Sequence, residues 1–255
     1  MNKLLNGKTI DQITIERLQE FEPPEGYYLA FSGGKDSIVL KHLSDKAGVK
    51  YDAHYSVTTI DPPDLIYFIR KHYPDVIWDR PKEPFLKMLS HKGLPLRQAR
   101  WCCELYKENG GEGRLVLTGI RWRESNNRSK RKMTEHCLKD KSKRLLHPII
   151  DWTADDIWQY IRENKLPYCK LYDEGWRRIG CLFCPMQSSE EKHKQVILYP
   201  AIARAFERAM QQLKDLRKRQ GRPSCDEWTT GKEMFEWYIS GKGKSTGNEG
   251  LQLYE

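Results

Sequence analysis

The chain has 255 residues, with 44 Lys and Arg against 35 Asp and Glu, a net charge of +9, and seven cysteines. That length holds one large domain, or one domain and an appendage, and no apolar run reaches the roughly 20 residues a membrane-spanning helix needs. The opening MNKLLNGKTIDQ lacks the hydrophobic segment of a secretory signal, so a cytoplasmic protein is expected, not associated with membranes. Its cysteines should then serve metal binding, catalysis or the core rather than a disulfide framework.

In chain order, Tyr27–Phe31, Tyr51–Val57, Val76–Trp78, Leu115–Ile120 and Leu145–Ile150 are predicted strands. Ser37–Ala47 and Pro63–Tyr73 are predicted helices between them, the second with Leu65, Phe68, Ile69 and His72 on one face. This alternation predicts an α/β fold, a parallel sheet with helices on both faces that binds ligands at the carboxyl ends of its strands. Further on, Thr153-x-x-Asp156 and Ser188-x-x-Glu191 open helices, and Pro200 starts a long one running to Gly221. The expected division is 1–186 as the α/β domain, 187–240 as a helical extension and 241–255 as a flexible tail.

The first strand runs into Ser32-Gly33-Gly34-Lys35-Asp36-Ser37 and then a helix. It is not a Walker A loop, but the job is related: glycines let the backbone approach a phosphate, and the helix start offers free N–H groups. Lys35 adds a cation, Ser32 and Ser37 add hydroxyls, and Asp36, expected in a surface turn, suits Mg²⁺ or the orientation of a donor. The string FSGGKDS resembles the PP-loop of the adenine-nucleotide α-hydrolase superfamily, a resemblance that implies ATP cleavage with pyrophosphate release.

Cys102 and Cys103 are adjacent. Neighbouring Cα atoms lie about 3.8 Å apart, too close for a relaxed disulfide. With Cys181-x-x-Cys184 they make two tight thiol pairs, suited to zinc or an iron–sulfur cluster, and a lone Cys-x-x-Cys could also be a redox dithiol. Adjacent cysteines can reach two irons of one cubane, which favours 4Fe–4S over zinc. RWCCELYK, LTGIRWRESNNR, HPIIDWTADDIWQYIRENKLPY and LYDEGWRRIGCLFCP are similar, in this order, to segments of the phosphoadenosine phosphosulfate (PAPS) reductase family. They resemble its iron–sulfur branch most, over about residues 27–186. The resemblance implies that Cys102, Cys103, Cys181 and Cys184 ligate one 4Fe–4S cluster, and that Gly119, Arg121, Arg123 and Arg128 face the nucleotide's phosphates or sulfate. Cys137, Cys169 and Cys225 are read as ordinary thiols.

The family's reductases carry a catalytic cysteine in a Glu-Cys-Gly-x-His type segment, which the sequence lacks, and the intact SGGKDS looks like an ATP-cleaving loop. The expected enzyme therefore adenylates a substrate, with Lys35, Arg121 and Arg123 neutralising phosphates and Asp36 partly holding Mg²⁺. Superfamily members with iron–sulfur clusters act in DNA phosphorothioate modification and tRNA thiolation. The resemblance and the charge thus imply ATP, a nucleic acid (DNA or tRNA) and a sulfur-donor protein such as a cysteine desulfurase as partners. Ten Lys or Arg between Arg121 and Arg144, among them Lys130, Arg131, Lys132 and Lys139, form either a solvated loop or a phosphate-binding lid, extended by Lys214, Arg217, Lys218 and Arg219. The rival readings are an adenylyl-sulfate (APS) or PAPS reductase and a nucleotide-sensing DNA-binding subunit.

Overall fold

The computed structural model describes residues 7–137, 140–222 and 227–241. Lys139, Cys225 and the expected tail beyond residue 241 lie outside them. In chain order the elements are α1 (Ile10–Glu20), β1 (Tyr27–Ala30), α2 (Lys35–Ala47), β2 (Tyr51–Ser56), α3 (Pro63–His72), β3 (Ile77–Asp79), α4 (Phe85–Lys92), α5 (Trp101–Tyr106) and β4 (Leu115–Leu117). After these come β5 (Thr134–His136), β6 (Arg144–Leu146), α6 (Ala154–Glu163), α7 (Ser189–Leu198), α8 (Pro200–Arg219) and α9 (Gly231–Ser240).

Two compact units divide the chain: residues 1–57, 63–80 and 109–180 form the first, and residues 58–62, 81–108 and 181–255 the second. All six strands fall in the first, in the order β3-β2-β1-β4-β6-β5. Every pairing is parallel except β5 with β6. The α/β class is as expected, with an antiparallel edge hairpin that the basic run between Arg121 and Arg144 concealed. The strand expected over Leu145–Ile150 stops at Leu146, because Pro148 has no N–H for the ladder and the chain turns, with the Ile150 N–H donating to the His147 carbonyl.

Alternation along β1 sends Tyr27 and Leu29 to one face, where both are fully buried. There the Tyr27 hydroxyl donates to the Leu18 carbonyl of α1 at 2.7 Å. Trp152 Nε1 reaches Thr14 at 3.0 Å, and Arg17 clasps the Asp151 carboxylate with two bonds of 2.8 and 2.7 Å. On the opposite face Tyr28 stacks on His54, ring centroids 4.2 Å apart. His54 bridges Asp52 and Asp79, and Arg114 holds Asp52 with two further bonds.

The second unit is helical and its core is aromatic. Phe85 of α4 packs on Phe206 of α8, and Phe206 on Phe183 and on Phe235 of α9. Gly231 lets α9 touch α8: a Cβ there would lie 2.4 Å from the Gln211 nitrogen and 2.5 Å from the Glu207 oxygen. Both obstacles are backbone, so Gly231→Ala is expected to destabilise the protein by about 2–3 kcal/mol, at the upper end for overpacking. Denaturant unfolding measures this, and an unchanged midpoint would show that the helices can separate freely.

Candidate active site and thiol centre

The sheet order reverses between β1 and β4, which open a crevice at their carboxyl ends. The glycine turn follows β1 and the Gly119–Arg121 segment follows β4. Gly33 has φ +68°, and a side chain on it would meet Ile69 Cδ1 at 2.7 Å and Leu65 Cδ1 at 2.8 Å. Only glycine turns the chain here. Gly119 permits the second loop to close on the first, since its Cβ would sit 3.2 Å from Asp36 Cβ.

Where these loops meet, Asp36 lies in the first turn of α2 between two cations. Its Oδ1 accepts from Arg121 Nε at 2.6 Å, and its Oδ2 from Lys35 Nζ at 3.2 Å. The Arg121 side chain is 5% exposed and that of Asp36 19%, so water screens the pair little. Each oxygen accepts one bond and keeps a lone pair that could face Mg²⁺. The expected surface turn is thus a half-buried clamp.

The two serines, expected to add hydroxyls toward a phosphate, also bond within the turn itself. Ser37 Oγ donates to the Gly34 carbonyl at 2.9 Å, and Ser32 Oγ lies 3.1 Å from Ser37 Oγ. They brace the loop from within. Of the first N–H groups of α2, that of Lys35 donates to the Tyr172 hydroxyl at 3.0 Å. Those of Asp36 and Ser37 have no partner among the described residues, which is the arrangement an anion completes.

Of the three candidate arginines, the structure brings only Arg121 to the turn. Arg123 is exposed on the short helical turn Trp122–Glu124. Arg128 pairs with Glu124, whose carboxylate also accepts the Arg121 N–H. Several charges of the basic loop are paired as well, Arg131 with Glu135 and Lys143 with Asp140. Arg217 is buried, since it continues the apolar stripe Phe206, Met210, Leu213 of α8, and so adds nothing to a basic surface. The sequence reading missed Tyr172, whose ring also faces Lys35 Nζ at 5.6 Å; no spacing rule links residues so far apart.

All four candidate thiols belong to the second unit. Cys181 and Cys184 flank a loop pinned by Phe183, which has φ +53° and is 1% exposed. Its N–H donates to Gln195 Oε1 at 2.7 Å, and its carbonyl accepts from the Tyr238 hydroxyl at 2.9 Å. Cys102 and Cys103 open α5. Cys102 is a poor acid, raised first by its bond to Cys103, then by burial and by the nearby Cys103, Cys181 and Cys184. Cys103 is pulled below the ordinary thiol range, first by the bond from Cys102, then by Arg100 and Lys107. Arg100 Nη1 approaches Cys103 Sγ to 3.6 Å, and the charge on Lys107 is favoured above all by Cys181.

Among the described residues no three Cys, His, Asp or Glu side chains close round a point that could hold a metal ion. The donor chemistry nevertheless fits a thiolate-bound group: four thiols within electrostatic reach, one of them acidic, beside Arg100 and Lys107. In cluster-free protein, Cys103 should be alkylated at lower pH than Cys102, because Arg100, Lys107 and the bond from Cys102 favour its thiolate while Cys102 is held protonated. Peptide mass spectrometry reads both rates; a shared midpoint near that of a free thiol would contradict the asymmetry.

The phosphoadenosine phosphosulfate reductase domain matches residues 26–187. An uncharacterized protein of Methanocaldococcus jannaschii is 32% identical over 197 residues, 72% of this chain, which spans 41% of that relative's length. Adenosine 5'-phosphosulfate reductase of Oceanobacillus iheyensis is 32% identical over 175 residues, 63% of this chain and 72% of the relative. The phosphate complex of phosphoadenylyl-sulfate reductase from Candida auris shares the fold, with a TM-score of 0.50 and 19% identity over 71% of this chain and 97% of that one. On the domain match and the reductase identity, with a glycine turn and an arginine loop meeting at the carboxyl ends of β1 and β4, the chain belongs to the phosphoadenosine phosphosulfate reductase family of the PP-loop superfamily.

Proposed function

We propose that this chain is an ATP pyrophosphatase that carries a 4Fe–4S cluster and adenylates a nucleic acid for sulfur incorporation, as in DNA phosphorothioation or tRNA thiolation. One observation carries the reading: Lys35, Asp36 and Arg121 meet beside the unpaired N–H groups of Asp36 and Ser37 at the start of α2. A triphosphate supplies the negative charge that this array lacks. A sulfonucleotide has no β and γ phosphates and leaves Lys35 with less to neutralise.

In the reaction, a substrate oxygen attacks the α phosphorus and the bond to the β-phosphate oxygen breaks, releasing pyrophosphate. Lys35 leaves Asp36 for the departing phosphates, and Arg121, held by Asp36 and the Trp152 carbonyl at 3.4 Å, faces the charge growing on the α-phosphate oxygens. The terminal sulfur of a persulfide on a donor protein such as a cysteine desulfurase then displaces AMP, which carries off the substrate oxygen, and a second thiol cleaves the resulting disulfide to leave the sulfur on the substrate. Cys102, Cys103, Cys181 and Cys184 hold the cluster, which when bound supplies iron sites for sulfur or electrons. Magnesium arrives with ATP.

The identity with an adenosine 5'-phosphosulfate reductase favours a second reading, reduction of a sulfonucleotide. Anaerobic incubation with α-labelled ATP and bulk tRNA or DNA, in parallel with adenosine phosphosulfate and a dithiol reductant, separates the two. AMP with pyrophosphate supports the pyrophosphatase, ADP with phosphate rules it out, and sulfite establishes the reductase.

A further inference from the structure

In the second unit α4 and α8 touch through Phe85 and Phe206, and outside that contact they leave an open groove of about 370 Å³. Ala205 and Ala209 form its floor on α8, one helical turn apart, and their small side chains keep it open. Lys87 and His91 line the α4 side, Arg208 and Gln212 the α8 side, and no carboxylate belongs to the lining. Lys87 pairs with Glu83 at its rim at 2.8 Å. His91 and Arg208 are exposed, and neither has an ion-pair or hydrogen-bond partner among the described residues. Arg204, also exposed, precedes Arg208 by one turn, about 6 Å along the axis. That separation is comparable to the distance between successive phosphates of a strand.

We propose that the α4–α8 groove binds the phosphodiester backbone of a nucleic acid. The inference rests on the nucleic-acid substrate proposed above and assigns it a contact surface. Three features select the backbone. The volume exceeds a single phosphate several times, so a free anion would meet scattered donors instead of a closed nest. No Phe, Tyr or Trp lines the groove, so no ring is offered for stacking a base. Arg208 in the groove and Arg204 beside it, one turn away on α8, stand exposed and, among the described residues, unpaired on one rigid helix, which suits a repeating charge read without regard to sequence.

Filter retention of tRNA and of duplex DNA against salt tests the surface, with Arg204→Gln/Arg208→Gln as the variant. Each lost phosphate contact lowers the slope of log affinity against log salt by about 0.9 on a duplex. The double variant should therefore flatten the slope by roughly 2, so that between 50 and 200 mM salt it loses about tenfold less affinity than the wild type. Ala205→Glu, which puts a carboxylate on the floor, should weaken binding in the same assay. In the double variant ATP affinity and the unfolding midpoint should not move, because Arg204 and Arg208 are exposed and belong to the other unit. Wild-type retention with an unchanged slope in the variant overturns the groove and leaves the substrate reading intact. No wild-type retention of tRNA or DNA even at low salt overturns both. Competition by millimolar inorganic phosphate as effective as that by nucleic acid would reveal a free-anion site and also refute the proposal.

Discussion

Asparagine in place of Asp36 is expected to slow pyrophosphate release from ATP by about 10²–10³-fold, the loss typical when one preorganised electrostatic group is removed. The carboxylate fixes Arg121 through a 2.6 Å bond and holds Lys35 on its other oxygen. Asparagine keeps an acceptor of the same shape but no charge, so the two cations repel each other and Arg121 is held less firmly. The fold is affected too. Removing one partner of a buried ion pair leaves the other unpaired at a cost of about 3–5 kcal/mol, and Arg121 retains only the long bond to Trp152. Asp36→Ala should approach that cost, contrary to the expectation that the residue sits in a tolerant surface turn. Asp36→Asn should cost less, because its amide oxygen still accepts from Arg121. Product analysis with α-labelled ATP, beside thermal unfolding of both variants, separates catalysis from stability. Full activity in a folded Asp36→Asn protein would remove the carboxylate from the reaction.

Protein purified without oxygen is expected to be brown and to hold about four irons per chain. Cys102→Ser or Cys184→Ser should lower the iron content severalfold, since a cubane that loses one thiolate readily falls apart. The four thiols are shared between the start of α5 and the Cys181–Cys184 loop of one unit, and Arg100 and Lys107 offset the negative charge that the thiolates bring together. Gln195→Leu is an informative companion. It deletes the acceptor for the Phe183 N–H without touching a thiol, and should loosen the Cys181–Cys184 loop and lower iron retention. Stoichiometric zinc in a colourless protein that survives air would exclude the cluster.

What the sequence determined by itself was local. Thr153 and Ser188 cap their helices as their spacing requires, each accepting an N–H three residues on. The Ser32–Ser37 turn stands between β1 and α2, because glycine freedom and helix initiation are properties of neighbouring residues. The paired cysteines were visible for the same reason. Long-range packing decided the rest. Arg121 is 85 residues from Asp36 and Tyr172 is 137 from Lys35, so only the strand order singles out one arginine of three and sets a tyrosine on the helix start. Phe85 and Phe206 draw residues 81–108 to the C-terminal helices, although in sequence that segment reads as part of the sheet domain. Charge was the least legible property. Arg217 is buried, Arg128 and Arg131 are paired, and Arg204 and Arg208 stand exposed, because a cation's availability depends on which carboxylates and apolar faces the fold brings against it.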